Sequence, residues 1–167
     1  MFVLVRHGLA GEKGAWRGSD DRRPLTPAGQ IQAVRLAEAL GDLGLTGLWS
    51  SPSERCRQTL NPLAERLGLP VQDNPALSVD AEVADVLAFL SSRDAAGSAL
   101  CTHGEVVARL FTHWPDPLRR EIWNAVGRGE DKGMKKGSAL IVERLSPTDA
   151  QFRYLPPQQL RLRPKHP

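Results

Sequence analysis

The feature that most constrains the fold is a pair of short, continuously apolar runs, each stopping at a basic residue or a hydroxyl and then at a histidine. Phe2-Val3-Leu4-Val5 runs into Arg6-His7-Gly8, and Ser98 to Thr102 runs into His103-Gly104. An apolar run without alternation suits a strand buried on both faces, the pattern of a parallel sheet covered by helices on either side. Such a sheet needs crossover helices, and the chain between the runs supplies helical patterns.

Thr26-Pro27 reads as an N-cap followed by Pro at the first helical position, and Ile31, Val34, Ala37 and Leu40 recur toward Gly41 and Gly44. Gly47 to Ser50 is a short strand. Ser51-Pro52-Ser53-Glu54 has capping-box spacing, which starts a second helix with Arg55 in its first turn and Cys56, Leu60, Leu63, Ala64 and Leu67 on its apolar face. Pro62 lies inside that pattern and predicts a kink or break. Val71 opens a short strand, and Val83, Val86, Leu87 and Leu90 mark a third helix capped by Asp80. Val106, Val107, Leu110 and Phe111 give a fourth, and Leu118 to Val126 a fifth. Ser138 to Arg144 and Gln151 to Leu155 read as strands joined through Pro147-Thr148-Asp149, an antiparallel hairpin.

The alternation predicts an α/β fold, a three-layer α/β/α sandwich on a mostly parallel central sheet with a C-terminal antiparallel hairpin. One domain over 1–155 is expected, followed by a basic, Pro-rich tail at 156–167 without assigned structure. Ligands of such sheets bind beyond the carboxyl ends of the strands. His7, the stretch Ser50 to Arg55, and His103 all fall there.

Composition narrows the function. Lys+Arg 22 against Asp+Glu 19 leaves a net charge of +3, too small and scattered for a nucleic-acid binder. No apolar run reaches the roughly 20 residues of a membrane span. Cys56 and Cys101 have no metal-like spacing, and free thiols in apolar segments point to a reducing cytoplasm. No metal and no cofactor is expected.

Two arginines and two histidines converging on one crevice suit a phosphate group, because a guanidinium fork matches phosphate oxygens and keeps its charge. A neutral imidazole can attack phosphorus, and neighbouring positive charge keeps its nitrogen unprotonated. Taken singly, His7 is equally a satisfied strand-end histidine, and Arg6 and Arg55 ordinary surface cations.

Four blocks in order change that balance: Arg6-His7-Gly8, Leu25-Thr26-Pro27-Ala28-Gly29, Ser50-Ser51-Pro52 with Arg55-Cys56 and Gln58-Thr59, and Thr102-His103-Gly104. Together they resemble the histidine phosphatase superfamily, with its phosphoglycerate mutase-like fold. The resemblance implies that His7 is the phosphorylated nucleophile and that Arg6, Arg55 and His103 bind the transferred phosphoryl group. It also implies an acid for the leaving group, for which Asp80 and Glu82 occupy the right region and Glu105 is a third candidate; each is equally a helix cap or first-turn acid.

Between Arg55 and His103 there is no room for the helical lid of the superfamily's mutases, so an open site is expected. This, with Asp20 or Asp21 before Arg23-Pro24-Leu25-Thr26, resembles the small SixA-type phosphohistidine phosphatases and the phosphatase domains fused to Nudix hydrolases. The expected activity is a metal-independent phosphatase acting on a phosphohistidine protein or a small phosphate ester or anhydride. A separate Nudix chain is a possible partner. A phosphomutase, or a phospho-ligand binding module without turnover, are the alternatives. Loop cations Arg17, Arg22, Arg23, Lys132, Lys135 and Lys136 read as solvated charge or substrate contacts, and Trp16 as a base-stacking cover or a loop anchor.

Overall fold

The computed structural model describes residues 1–127, 133–146 and 149–157. The chain forms β1 (Phe2–Arg6), α1 (Pro27–Leu40), β2 (Gly47–Ser50), α2 (Glu54–Leu67), β3 (Val71–Asp73), α3 (Val83–Leu90), β4 (Ser98–Thr102), α4 (Gly104–Thr112), α5 (Asp116–Val126), β5 (Ala139–Leu145) and β6 (Ala150–Leu155). One-turn 3-10 helices lie at Asp20–Arg22 and Pro75–Leu77. The expected turn through Pro147 and Thr148, Lys132 and most of the basic tail lie outside the described residues.

The strands make one six-stranded sheet in the order β3-β2-β4-β1-β5-β6. β3, β2, β4 and β1 run parallel, while β5 is antiparallel to both β1 and β6. This is the mostly parallel sheet with a terminal antiparallel pair that the pattern predicts. β1 and β4 pair at the centre, with Val5 opposite Cys101 and Arg6 opposite Thr102, and every residue of both strands is buried.

Alternate side chains of the central strands feed two cores. Val3, Val5, Ala99 and Cys101 pack with Leu36 and Leu40 of α1 and Leu60 and Leu63 of α2. Leu4, Leu100 and Leu140 pack on the other side with Phe89 of α3, Phe111 of α4 and Ile122 of α5. Each fully buried Leu or Phe contributes about 1.5–3 kcal/mol relative to exposure, so both helical layers are anchored through the same central strands.

Several local expectations are corrected. The α1 cap is as predicted, with Gly29 N–H donating to Thr26 Oγ1 at 3.1 Å, but Ile31 and Val34 are exposed and the buried stripe is Ala33, Leu36, Ala37 and Leu40. Residues three apart drift about 60° around a helix at each step, so the set from Ile31 to Leu40 could not hold one face. At α2 no capping box forms. The helix begins at Glu54, Ser53 is an N-cap without a side-chain cap bond, and Ser51 Oγ contacts a histidine instead. Pro62 does not break α2, which runs without interruption from Glu54 to Leu67. Leu60 and Leu63, buried on either side of it, hold the turn against the loss of one backbone bond. Asp80 does not cap α3, whose N-cap is Glu82, again without a side-chain bond.

Because β1, β2 and β4 are parallel neighbours, His7, Ser51 and His103 leave the sheet at the same edge. The fold thus gathers residues from distant parts of the chain.

Candidate active site

His7 is 6% exposed and is fixed from several directions. Its backbone N–H donates to Thr102 O at 3.2 Å, and Gly137 N–H donates to the carbonyls of both Arg6 (3.1 Å) and His7 (3.0 Å). Gly8 N–H donates to Thr59 Oγ1 at 3.0 Å, and the same hydroxyl donates to Arg55 O at 2.7 Å. The residue after the histidine is therefore tied directly to the helix that carries Arg55.

The ring tautomer follows from its partner. His7 Nδ1 lies 2.8 Å from Gly8 O, and a carbonyl only accepts, so Nδ1 carries the proton and Nε2 keeps its lone pair. Burial holds the imidazole far below its usual pKa, at about 3; the Gly8 bond works the other way, and His103, Arg55 and Arg6 add electrostatic repulsion to burial. A buried, neutral imidazole with a bare Nε2 is the form a nucleophile needs.

This shift has a consequence for stability. Between about pH 6.5 and 3 the unfolded chain protonates His7 while the folded chain does not, so acid favours unfolding. On going from pH 7.5 to 5, the native protein should lose about 2 kcal/mol more stability than His7→Gln. Urea unfolding at the two pH values measures this difference, and equal losses would contradict the neutral assignment.

His103 stands across from His7, with ring centroids 5.4 Å apart and planes at 67°. Arg55 Nη2 approaches His103 Nδ1 at 3.3 Å, and on the other side of the ring His103 Nε2 lies 2.8 Å from Ser51 Oγ. Ser51 is itself pinned by its N–H to Cys101 O at 2.9 Å. Cys56 Sγ sits 3.7 Å from the same Nε2, at the floor of the cluster.

The two arginines complete the positive lining. Arg6 is 8% exposed and donates through Nη1 to Met134 O at 2.5 Å. Its guanidinium lies over the start of α4, where a Cβ on Gly104 would come within 2.6 Å of Arg6 Cζ; glycine is what permits that approach. Arg55 is 2% exposed, and its fully buried Nε finds no partner among the described residues. Two guanidinium groups, an unprotonated imidazole nitrogen and the α4 N-terminus together can hold and attack a tetrahedral dianion.

The sequence did not identify Asp20 as part of this cluster. Its Oδ2 accepts from Arg55 Nη2 at 3.1 Å, its Oδ1 from Arg23 Nε at 3.0 Å, and its backbone O from Arg55 Nη1 at 2.7 Å. The available signal was the spacing of Asp20 and Arg23 on one short turn. Asp21 Oδ1 accepts from Ser53 Oγ at 3.3 Å. Ser51 and Thr59 belong to the third sequence block, yet their bonds to His103 and Gly8 depend on tertiary contact.

Of the predicted site residues, Arg6, His7, Arg55 and His103 are brought together. Asp80, Glu82 and Glu105 are exposed and stand outside the hydrogen-bonded cluster. Trp16 anchors its own loop, donating from Nε1 to Ser19 O at 2.8 Å and covering Gly18. Arg17, Arg22 and Lys135 are exposed, whereas Arg23 is held by Asp20. Arg57 is exposed and pairs with Asp73. Two open grooves of about 700 and 570 Å³ lie along α2 with β3 and along α5 with β6, and neither includes a member of the cluster. No described helix is long and apolar enough to cross a membrane.

Comparison with known proteins gives concordant results. Residues 2–79 match the model of the histidine phosphatase superfamily (branch 1). The 8-oxo-(d)GTP phosphatase of Mycolicibacterium smegmatis is 33% identical over 145 residues, covering 84% of this chain and 43% of that protein, so the chain spans less than half of this relative. An uncharacterized protein of Picosynechococcus sp. is 35% identical over 118 residues, covering 69% of this chain and 67% of the relative. Among solved structures, the protein histidine phosphatase SixA complexed with tungstate superimposes with a TM-score of 0.66 at 23% identity, covering 95% of this chain and 98% of that one. That likeness concerns the fold.

Proposed function

The chain belongs to the histidine phosphatase superfamily, and from that premise we propose that it is a phosphatase whose reaction passes through phosphohistidine at His7. The observation that carries this reading is the Nδ1–H bond of His7 to the Gly8 carbonyl. It leaves the Nε2 lone pair of His7 free, close to the charges of Arg6, Arg55 and His103.

In the first half-reaction Nε2 attacks phosphorus in line, the N–P bond forms and the bond to the leaving group breaks. Arg6 and Arg55 neutralise charge on the equatorial oxygens without needing a protonation change of their own. In the second, water attacks phosphorus, the N–P bond breaks, and inorganic phosphate leaves with His7 returned to its starting tautomer. Covalent catalysis of this kind divides one difficult displacement into two easier ones.

The leaving group must also be accommodated. Asp80, Glu82 and Glu105 are solvent-exposed, and among the described residues no carboxyl group is in hydrogen-bond contact with the His7 ring. A leaving group that departs without strong acid assistance fits such a site best. Phosphohistidine proteins and phosphoanhydrides meet that condition better than simple alkyl esters. The mycobacterial relative's activity on an oxidised nucleoside triphosphate supports including nucleotides among the candidates.

The test is a panel of phosphohistidine peptide, nucleoside phosphates and sugar phosphates, each assayed for phosphate release and for a phosphoryl adduct by intact mass after an acid-free quench. Release of phosphate with a transient adduct on His7 is the expected result. Transfer to an acceptor without phosphate release would identify a mutase instead, and phosphate-sensitive binding with no turnover a binding module.

A further inference from the structure

The phosphoryl site contains an anion of its own. Arg55, nearly inaccessible, meets Asp20 through both terminal nitrogens: Nη1 donates to the Asp20 carbonyl at 2.7 Å and Nη2 to its carboxylate at 3.1 Å. The remaining side-chain donor, Nε, is buried and without a partner among the described residues. The other carboxylate oxygen of Asp20 engages Arg23, whose Nη1 donates to Gly11 O at 2.5 Å, so the loop before α1 is stitched to the site through this one aspartate.

Taking the phosphoryl role of Arg55 from the function proposed above, we propose that Asp20 is a positioning residue that occupies the Arg55 fork until a phosphoryl group displaces it. It thereby sets how tightly the site holds substrate and inorganic phosphate. A carboxylate and a phosphoryl oxygen compete for the same Nη2 donor, and two anions sharing one guanidinium repel each other. The device weakens binding of substrate and product alike, which matters most at the end of the cycle, when inorganic phosphate must leave a site lined by two arginines.

The contacts also separate this role from proton donation. Slight burial works to raise the Asp20 carboxyl, but the Arg23 hydrogen bond and the charges of Arg55, Arg23 and Lys13 outweigh it and hold the group below the usual carboxylate range. Asp20 is therefore an anion at neutral pH, with Arg55 as its partner.

Removing the charge and removing a mere tether have opposite signs. Asp20→Asn keeps the shape and an acceptor oxygen but no longer competes as an anion. It is expected to bind inorganic phosphate about tenfold more tightly by calorimetry at pH 7, the order of effect for one partly screened charge beside a ligand, with KM falling in parallel. A structural tether alone predicts weaker phosphate binding and a higher KM. Glu12→Gln, which removes an exposed charge from the same loop, is the control for net charge, and thermal melting establishes that each variant is folded. Phosphate affinity unchanged or weakened in Asp20→Asn, or tightened equally in Glu12→Gln, overturns the proposal. Native protein that binds no phosphate overturns the site reading and this proposal together, whereas native binding lost in Arg55→Ala but indifferent to Asp20→Asn overturns the Asp20 role alone.

Discussion

Replacing His7 with Ala is expected to lower kcat by roughly 10³-fold or more on any substrate the native protein turns over. The ring is neutral and fixed in a nucleophilic tautomer, its proton committed to the Gly8 carbonyl. Arg6, Arg55 and His103 remain in the variant, so phosphate binding should persist while the covalent adduct disappears. Steady-state kinetics beside intact-mass trapping reads both. A variant retaining a tenth of native kcat would mean that water attacks phosphorus directly, with the arginines alone providing catalysis.

The second large effect concerns the scaffold. Gly29 lies in the first turn of α1, and helix propensity alone makes Gly29→Ala stabilising by up to about 1 kcal/mol. The local geometry gives the opposite sign. A Cβ there would meet Leu9 O at 2.0 Å, Leu9 C at 2.9 Å and Leu9 N at 3.0 Å, all backbone atoms that cannot swing aside. Thermal or urea unfolding should show a loss of about 3 kcal/mol, the upper range for overpacking a rigid contact. Leu9 follows the Arg6-His7-Gly8 turn, so whatever stability remains should come with reduced turnover. A Gly29→Ala protein as stable as native would show that the two backbones can separate freely.

Much of this architecture was legible because the strongest signals in the chain are local and repeated. Unbroken apolar runs identified β1 and β4, their histidines identified the sheet edge, and Thr26-Pro27 identified the start of α1. The four clustered site residues followed from motif order. The errors have a common physical source, which is that side chains with hydrogen-bonding alternatives are assigned by tertiary contact. Ser51 has capping-box spacing but gives its hydroxyl to His103, and Asp20 looks like loop charge until Arg55 arrives beside it. Ile31 and Val34 satisfied a period of three but not the face that α1 buries, which small Ala33 and Ala37 help define. Pro62 predicts a break through its lost backbone bond, whereas packing on both sides of it keeps α2 continuous. For Asp80, Glu82 and Glu105 the sequence supplies only a region, and a region does not aim a carboxylate.

The central pairing of β1 with β4 also bears on when the site comes into existence during folding. His7 and His103 come from separate halves of the chain and face each other only after the most non-local parallel contact in the sheet has closed. Closure of such contacts is entropically slow, and each carries little reward until the flanking helices dock. Partly folded chains holding only α1 and α2 would display Arg55 without its histidines. Amides along Val3 to Val5 and Ala99 to Cys101 should accordingly exchange with solvent only through global opening, making protection of these strands and competence for phosphoryl transfer a single cooperative property.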